Sequence, residues 1–136
     1  MGNSCSSCGF ELWLPVASLS VADLGLYSDG RFPGRSLLKL RDHYESIEEL
    51  PADVTLDFFA DLRLSMAAIR RATGAQRVNF AVLGNAVPHV HGHLIPRFPS
   101  EESKPQSSPW DDPRPRAKLL ESKELELVAL LQKELG

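Results

Sequence analysis

The sequence predicts an α+β domain in which an antiparallel sheet of about five strands is combined with a main helix and a C-terminal helix. Two segments, residues 53–73 and 122–135, carry apolar side chains at helical spacing. Several shorter segments alternate between apolar and polar residues, or are apolar over the length of a strand, and turn-forming residues separate them. A chain of 136 residues can bury one hydrophobic core, so we expect a single domain over residues 1–136.

Three strands are predicted before the main helix. Short apolar stretches at Phe10–Leu14 and Leu19–Tyr27 are typical of edge strands, and Ser36–Leu40 is typical of a buried strand. Turns are predicted at Asp29-Gly30 and at Pro33-Gly34. We therefore expect the chain to cross the sheet three times before it turns into a helix.

The main helix is predicted over residues 53–73, with Pro51 just before it. Its apolar stripe repeats at helical spacing and consists of Phe58, Leu62, Met66 and Ile69. Gly74 follows the last periodic residue, where a left-handed C-terminal cap is common. Core packing is the expected role of this stripe.

Two further strands and a final helix complete the prediction. Arg77–Leu83 alternates, and Gly84-Asn85 forms the turn into Val87–Ile95, which we expect to stop at Pro96. Residues 96–117 are rich in proline, serine and charge, which predicts a long surface loop. The C-terminal helix is predicted within residues 118–136, with Ser122 as its N-cap and an apolar stripe of Leu125, Val128, Leu131 and Leu135.

Charge and composition bound the possible partners. The net charge is −3 and the isoelectric point is near 5.8, which argues against a general nucleic-acid binder. No apolar run approaches the roughly 20 residues needed to span a membrane, and we see no secretory signal, so we expect a cytoplasmic protein without a membrane partner. Gly2 and Ser6 fit the short N-myristoylation pattern, which is common by chance.

The chain has four histidines, and three of them lie within five residues. Side chains alternate between the faces of a strand, so His89, His91 and His93 would share one face at spacings of roughly 6.5–7 Å. A strand that merely happens to carry histidines is the alternative, but buried imidazoles are costly unless they are hydrogen-bonded. The regular spacing therefore indicates a functional cluster.

Two kinds of chemistry use three imidazoles. A metal site with three histidine ligands is one, but three residues in a line on one strand do not easily converge on a tetrahedral ion. Nucleophilic catalysis is the other, because a neutral imidazole can attack phosphorus while its second nitrogen is held by a hydrogen bond. Flanking donors would stabilise charge on the phosphoryl oxygens, which favours His91 as the nucleophile.

The segment Pro88–Arg97, which reads PHVHGHLIPR, resembles the histidine triad (HIT) family, whose motif is His-φ-His-φ-His-φ-φ with φ apolar. Support comes from Val78-Asn79-Phe80, Gly84-Asn85 and the segment 29–40, and the likeness covers roughly residues 5 to 110. The resemblance implies a HIT-like fold, a homodimer whose sheets join, and a nucleotide substrate, with adenine favoured. The nearest subtype would be a diadenosine polyphosphate hydrolase.

The resemblance also implies roles for single residues. His91 would form a nucleotidyl-histidine intermediate, His93 would orient it or bind phosphate, and His89 would lie beside the leaving group or anchor the site. Ribose or phosphate would be held by polar side chains, namely Asp29, Asn79 and Asn85. A simple role in turn formation is the alternative for Asp29 and Asn85.

Two positions depart from the family pattern. Gly92 stands where the family has an apolar side chain, which predicts thinner packing behind the site. Arg35 stands where several branches carry an extra histidine, and its guanidinium suits bidentate contact with a distal phosphate.

Cys5 and Cys8 form a Cys-x-x-Cys pair, which suits a metal knuckle better than a redox pair because no strand–helix junction surrounds it. The resemblance implies a structural zinc held by Cys5, Cys8, His43 and His89, with no cofactor needed for the chemistry. Such a closed set of four ligands is typical of structural rather than catalytic zinc. Two reduced thiols and a surface histidine are the alternative.

We therefore expect a hydrolase that cleaves at the α-phosphorus of dinucleoside polyphosphates or nucleoside phosphoramidates. A nucleotidyltransferase or phosphorylase of the same superfamily, a nucleotide-binding regulatory protein with little turnover, and a zinc-scaffolded interaction module are the alternatives. Trp110 lies in the proline-rich stretch, where it would cover a base or the dimer seam, or simply pack.

Overall fold

The computed structural model describes residues 4–136, so Gly2 of the acylation pattern lies outside the described residues. Five strands form one antiparallel sheet in the order β1-β2-β3-β5-β4. The strands are β1 (Leu14–Ser18), β2 (Ala22–Leu26), β3 (Ser36–Leu40), β4 (Arg77–Ala81) and β5 (His91–Arg97). The helices are α1 (Ala52–Thr73) and α2 (Glu121–Leu135). The predicted α+β class is confirmed.

Both helices pack on the same face of the sheet, which we call the helix face. Phe58, Leu62 and Ile69 of α1 are buried and Met66 packs against them, so the predicted stripe is confirmed. They contact the apolar side chains that the strands direct to this side, among them Leu24, Leu38 and Leu94. Gly74 ends α1 in the left-handed region, with φ of 73°, as predicted.

The C-terminal helix is placed differently from the prediction. The Leu120 carbonyl accepts hydrogen bonds from Lys123 and Glu124, so α2 begins before Ser122, and Ser122 is not its N-cap. Leu127 and Leu131 are buried, whereas Leu125 is 62% exposed. The predicted stripe was therefore wrong at Leu125, because packing against β1 and α1 selects the pair that is spaced four residues apart.

Two strand boundaries also differ from the prediction. The first strand begins at Leu14, where we predicted it to end, because residues 10–13 fold over the sheet and Leu12 packs on Gly25. β2 is an interior strand that pairs with β1 and β3, and is therefore buried on both faces rather than at an edge.

The last two strands are shifted as well. β4 ends at Ala81 instead of Leu83. β5 begins at His91 instead of Val87 and continues through Pro96 to Arg97. Pairing with β3 stops at Leu94, so the proline lies where the strand has β4 as its single neighbour, a position that tolerates a missing N–H.

The opposite face of the sheet carries His91 and His93, and we call it the histidine face. Irregular segments cover it: residues 4–13, and a connection over residues 98–119 that we call the strap. Arg97 holds the start of the strap through Glu102 and the Ser107 carbonyl, and Leu119 holds its end through the Ser28 hydroxyl. No helix within residues 4–136 combines the length and apolar character needed to cross a bilayer.

Candidate functional site

Alternation along β5 places His91 and His93 on the histidine face and Leu94 on the helix face. The two imidazole centroids are 5.2 Å apart, and His91 is 6% exposed. His89 does not lie on the strand as predicted, because Val90 bonds to Tyr44 and Leu40 and holds the chain in a bend before β5. The three histidines remain close together, but His89 faces a different set of neighbours.

His91 has a defined tautomer. Its Nδ1 lies 2.6 Å from the carbonyl oxygen of His89, and a carbonyl can only accept a hydrogen bond, so Nδ1 carries the proton. The Nε2 atom consequently carries the lone pair. Burial lowers the pKa of His91, and charge on His89 would lower it further, against the opposing effect of the carbonyl bond. A neutral imidazole with an available Nε2 is the form that attacks phosphorus.

His93 lies beside His91 at the edge of a cavity. Burial, the nearby His91 and the charge of Arg35 lower the pKa of His93 to about 4. The Trp110 ring of the strap contacts it edge-on, with centroids 5.4 Å apart. The cavity has a volume of about 290 Å³ and is lined by Asn79, Phe80, Ala81, His93, Ile95, Ser108, Pro109 and Trp110.

The two predicted asparagines are placed differently. Asn79 is opposite Ile95 in the β4–β5 ladder and lines the cavity beside His93. Its Oδ1 accepts a hydrogen bond of 2.7 Å from Arg97. Asn85 is exposed in the loop after β4, and among the described residues it has no hydrogen bond that ties it to the histidines. The structure therefore brings Asn79 to the site and leaves Asn85 at its periphery.

Asp29 is 1% exposed and is enclosed by two arginines. Its carboxylate accepts from Arg31 at 2.9 Å and from Arg35 at 2.9 Å. Burial raises the pKa of Asp29, but hydrogen bonds from Arg31 and Arg35 outweigh it and hold the pKa below its ordinary value. In this arrangement Asp29 orients two guanidinium groups, and its oxygens are already occupied at the position where the resemblance implied a ribose contact.

A second cavity, of about 310 Å³, is lined in part by Asp29. Trp13 and Tyr27 provide aromatic walls, and the ammonium of Lys118 lies 4.6 Å from the Trp13 ring centroid. The cavity is completed by Ser28, Arg116 and Ala117. Sequence reasoning missed this cavity, because residues far apart in the chain meet only when the strap returns to β2. Tyr27, an aromatic residue two positions before Asp29, was the sequence feature that could have indicated the cavity.

The predicted metal ligands converge at the edge of the histidine face. The Sγ and Nδ1 atoms of Cys5, Cys8, His43 and His89 form a cluster whose members all lie within 4.8 Å of one another. The distances are 3.6 Å from Cys5 to His43, 3.4 Å from Cys8 to His89 and 3.2 Å between the two imidazoles. Tetrahedral zinc with Zn–N of about 2.05 Å and Zn–S of about 2.3 Å gives edges of roughly 3.3 Å for N···N and roughly 3.6 Å for N···S. The cluster fits zinc.

Protonation states also fit a metal. His89 Nε2 donates to the Leu40 carbonyl at 2.6 Å, so its Nδ1 presents a lone pair to the cluster. Burial raises the pKa of the Cys5 thiol, but hydrogen bonds with the backbone of Cys8 and Ser7 outweigh it and lower the pKa to about 6. A thiolate and a correctly oriented imidazole are the ligand forms that zinc requires. Both ring nitrogens of His89 are therefore engaged away from the cavity beside His93.

Two further residues shape the site. Phe10, which sequence reasoning missed, packs against the rings of His91 and His89 at centroid distances of 4.9 and 5.5 Å. We had expected thin packing behind Gly92, and this prediction was wrong. A Cβ there would lie 2.5 Å from Phe80, whose ring fills the space where the side chain would be. The aromatic side chain on β4 compensates for the missing one on β5.

Parts of the sequence are similar to those of known proteins. The HIT domain model matches residues 25–100, more than half of the chain. A protein of Arabidopsis thaliana named Adenylylsulfatase HINT3 is 35% identical over 69 residues, which are 47% of this chain and 35% of that protein. An uncharacterized HIT-like protein of Methanocaldococcus jannaschii is 32% identical over 72 residues, 50% of this chain and 56% of that protein. The matched segments span well under two thirds of either relative.

Solved structures match over most of the chain. A histidine triad (HIT) protein from Sinorhizobium meliloti is 24% identical with a TM-score of 0.80, covering 90% of this chain and 89% of that one. One from Bradyrhizobium japonicum is 19% identical with a TM-score of 0.81, covering 90% of each chain. A Zn-bound histidine triad family protein from Mycobacterium smegmatis is 18% identical with a TM-score of 0.62, covering 88% and 84%. These matches show a shared fold.

Proposed function

The chain belongs to the HIT domain family, and from this premise we propose that it is a nucleotide hydrolase that cleaves at an α-phosphorus through a covalent intermediate on His91. One observation carries the proposal. The His91 Nδ1 proton is held by the His89 carbonyl at 2.6 Å, which leaves Nε2 as a neutral nucleophile beside His93.

The reaction has two steps. In the first, His91 Nε2 forms a bond to the α-phosphorus, and the bond from phosphorus to the leaving group breaks with its electron pair on the leaving atom, which takes a proton from solvent where it is an amine nitrogen. In the second, water attacks the same phosphorus, the N–P bond breaks, and a nucleoside monophosphate and a proton are released. The His89 carbonyl stabilises the positive charge that His91 carries in the intermediate, because it accepts the Nδ1 hydrogen bond throughout.

The cavity lined by Trp13 and Tyr27 supports a nucleoside as the substrate group that stays on the enzyme. Its aromatic walls suit stacking on a base, and Ser28 is a polar residue of its lining. An adenine nucleotide is the substrate we favour, and the relative named Adenylylsulfatase HINT3 supports an adenylyl compound. Diadenosine polyphosphates and adenosine phosphoramidates are the leaving-group classes to compare.

We further propose a structural zinc at Cys5, Cys8, His43 and His89, supported by ligand atoms that all lie within 4.8 Å of one another and by three distances close to tetrahedral edges. When bound, the ion would contribute folding free energy and no step of the reaction. The chain's own residues do the positioning: His89 holds His91 through its carbonyl, and Phe10 packs on both rings.

We also propose a homodimer formed through β4. This edge strand has unpaired backbone groups, and Leu56, Phe59 and Leu83 are exposed around it or on α1. Phe59 contacts Phe80 of β4 at 6.2 Å, so the apolar surface is continuous between helix and strand. Sedimentation velocity should show a dimer that Phe59→Glu converts to monomer. A monomeric wild type would contradict this proposal and leave the hydrolase proposal standing.

The central experiment follows mononucleotide release from diadenosine tetraphosphate, diadenosine triphosphate and an adenosine phosphoramidate. Rapid acid quench and mass spectrometry detect nucleotide attached to the protein. We expect wild type to release AMP and to form the adduct, and His91→Asn to do neither while it melts at the wild-type temperature. Asn85→Ala, which changes an exposed polar side chain outside the site, is the matched control and should retain activity.

Other outcomes of these experiments would favour one of the alternative functions. Transfer of AMP to added phosphate or sugar phosphate, instead of water, would identify a transferase with the same intermediate. AMP binding without release or adduct from any substrate would contradict the enzyme and favour a regulatory nucleotide-binding protein. Partner binding that depends on zinc but not on His91 would favour an interaction module.

A further inference from the structure

Two buried polar atoms in the site have no hydrogen-bond partner among the described residues: Arg35 Nε and His93 Nδ1. Arg35 is 5% exposed, so its guanidinium is almost fully removed from water. An unpaired buried polar atom costs free energy, so each such atom in a native structure calls for a partner such as a ligand, an ion or water. The two atoms therefore indicate a binding position that the protein alone does not fill.

Both residues lie against the same aromatic ring. The Arg35 guanidinium carbon is 5.8 Å from the Trp110 ring centroid, and the His93 ring centroid is 5.4 Å from it. Trp110 sits in the short 3-10 turn Pro109–Asp111 of the strap. The strap thus covers the two orphaned atoms with a half-exposed side chain, which separates them from solvent.

Arg35 is held in a fixed orientation. Its Nη1 donates to Asp29 at 2.9 Å, and its guanidinium lies 4.2 Å over the Tyr27 ring. These contacts occupy one edge and one face of the group, and the Nε edge remains available. A planar guanidinium edge matches the oxygens of a tetrahedral oxyanion.

The local charge favours an anion. Asp29 is the shared partner of Arg31 and Arg35, so this trio of side chains carries one net positive charge. Arg35 and His93 lie against the same Trp110 ring, so this positive charge lies near the histidine beside the nucleophile. A permanent cation in a water-poor site stabilises negative charge far more than it would in water.

We propose that Arg35 and His93, beneath Trp110, bind the phosphoryl or sulfuryl group attached to the α-phosphate. The enzyme then prefers substrates whose leaving group is an oxyanion, phosphate or sulfate, over phosphoramidates, whose amine leaving group offers no negative charge to Arg35. This inference rests on the proposed function, because it names the leaving-group class of the same site.

Binding without turnover tests the subsite first. In a His91→Asn, Trp13→Phe background, Trp110 is the remaining one of the two tryptophans, and its fluorescence reports on this position. We expect ADP to bind about tenfold or more tightly than AMP, the ratio that one charged hydrogen bond provides. Arg35→Gln should bring the two affinities together. Equal binding of ADP and AMP before that substitution would overturn the proposal.

Turnover then tests leaving-group selectivity and shows whether the enzyme prefers phosphate or sulfate as the leaving group. kcat/KM is measured for ADP, adenosine 5′-phosphosulfate and an adenosine phosphoramidate. Arg35→Gln should lower the value at least about tenfold for the two oxyanion leaving groups, and less than about threefold for the phosphoramidate. Arg31→Gln is the matched control, because it also removes a guanidinium from Asp29 but leaves Arg35 under Trp110. Arg31→Gln should change kcat/KM by the same factor for all three substrates.

The outcomes distinguish this inference from the proposed function. An adduct on His91 that forms from all substrates, with Arg35→Gln slowing them equally, would overturn the subsite and leave the hydrolase. No adduct from any substrate, together with ADP binding that depends on Arg35, would overturn the hydrolase and support the subsite. Arg35→Lys should restore part of the preference if charge is the cause, and this variant also answers the case in which Arg35→Gln fails to fold.

Discussion

The two faces of the sheet are covered by different means. The helix face is closed by α1 and α2, whose apolar side chains interlock with those of the strands. The histidine face is closed by residues 4–13 and the strap, which are held by arginine–carboxylate pairs, backbone hydrogen bonds and the cysteine–histidine cluster. One face supplies packing and therefore stability. The other holds polar groups in fixed positions, as the proposed reaction requires.

Arg97 illustrates the second kind of cover. Its guanidinium bonds to Glu102 at 2.6 Å, to Asn79 at 2.7 Å and to the Ser107 carbonyl at 2.8 Å. A single buried side chain thus joins the end of β5 to both β4 and the strap. The strap then positions Trp110 over His93, so the order of an irregular segment depends on polar contacts rather than on apolar area.

The largest expected effect concerns the helix face. Phe58→Ala removes a fully buried ring from the core and should lower the free energy of unfolding by about 3–5 kcal/mol. Because Phe58 is remote from the histidine face, kcat/KM per folded molecule should stay within about twofold. Urea unfolding and initial rates measure both quantities. Leu64→Ala, at a position of the same helix that is 56% exposed, should cost less than about 0.5 kcal/mol. Loss of catalysis in folded Phe58→Ala would show that the two faces are coupled.

Zinc removal is the corresponding test on the histidine face, with a smaller effect. Chelation should destabilise the protein by about 2.7 kcal/mol relative to a sample with zinc at a hundred times its Kd. Increased hydrogen exchange should be confined to residues 4–13 and the loops around His43 and His89. Zinc analysis and thermal melts provide the measurements, and Cys8→Ser should no longer respond to chelator. A wild type that contains no zinc and melts identically with chelator would refute the metal site.

The same contrast explains what the sequence could predict. Periodicity predicted α1, β3 and the shared face of His91 and His93, because regular elements repeat their own spacing. It misplaced His89, because hydrogen bonds of Val90 with Tyr44 and Leu40 bend the chain before β5. It misplaced the first strand because residues 10–13 fold over the sheet, and it missed the Trp13–Tyr27 cavity because the strap closes it only on returning to β2. Irregular covers are determined by single long-range contacts, such as Leu119 with Ser28, that leave no repeating signal.

The cysteine–histidine cluster was anticipated through family resemblance more than from spacing. Cys5 and Cys8 are near each other in sequence, but His43 and His89 join them only after β3 and β5 have paired. The burial of Asp29 between Arg31 and Arg35 was not anticipated at all, since a turn former and a ribose ligand would look the same in the sequence.

Gly92 lies between His91 and His93 in sequence but on the helix face, so its substitution tests the packing directly behind the two histidines. Gly92→Ala places a Cβ 2.5 Å from Phe80 and should cost about 1–2 kcal/mol, because the ring must move. In a Phe80→Ala background the same substitution should be nearly neutral. A double-mutant cycle of urea unfolding energies measures the coupling. Additive costs would show that Phe80 does not fill the space behind Gly92.

The smallest expected effect is a pH dependence on the histidine face. The pKa of Asp29 is lower in the folded protein than its ordinary value of 3.8, against the effect of burial, because Arg31 and Arg35 donate to its carboxylate. Its stabilisation is therefore fully present above the unfolded pKa and is lost as the pH falls through the folded one.

Urea unfolding of wild type and Asp29→Asn across the acidic range tests this sign. The difference in unfolding free energy should stay constant from about pH 7 to pH 5 and shrink below about pH 4. The exposed pair Arg71–Glu134 provides the comparison, because Glu134→Gln should change stability by about 0.2–1 kcal/mol at most. If the wild-type and Asp29→Asn curves stay parallel down to low pH, the arginines do not hold Asp29 in its charged form. The histidine face would then owe its order to the strap and the cysteine–histidine cluster alone.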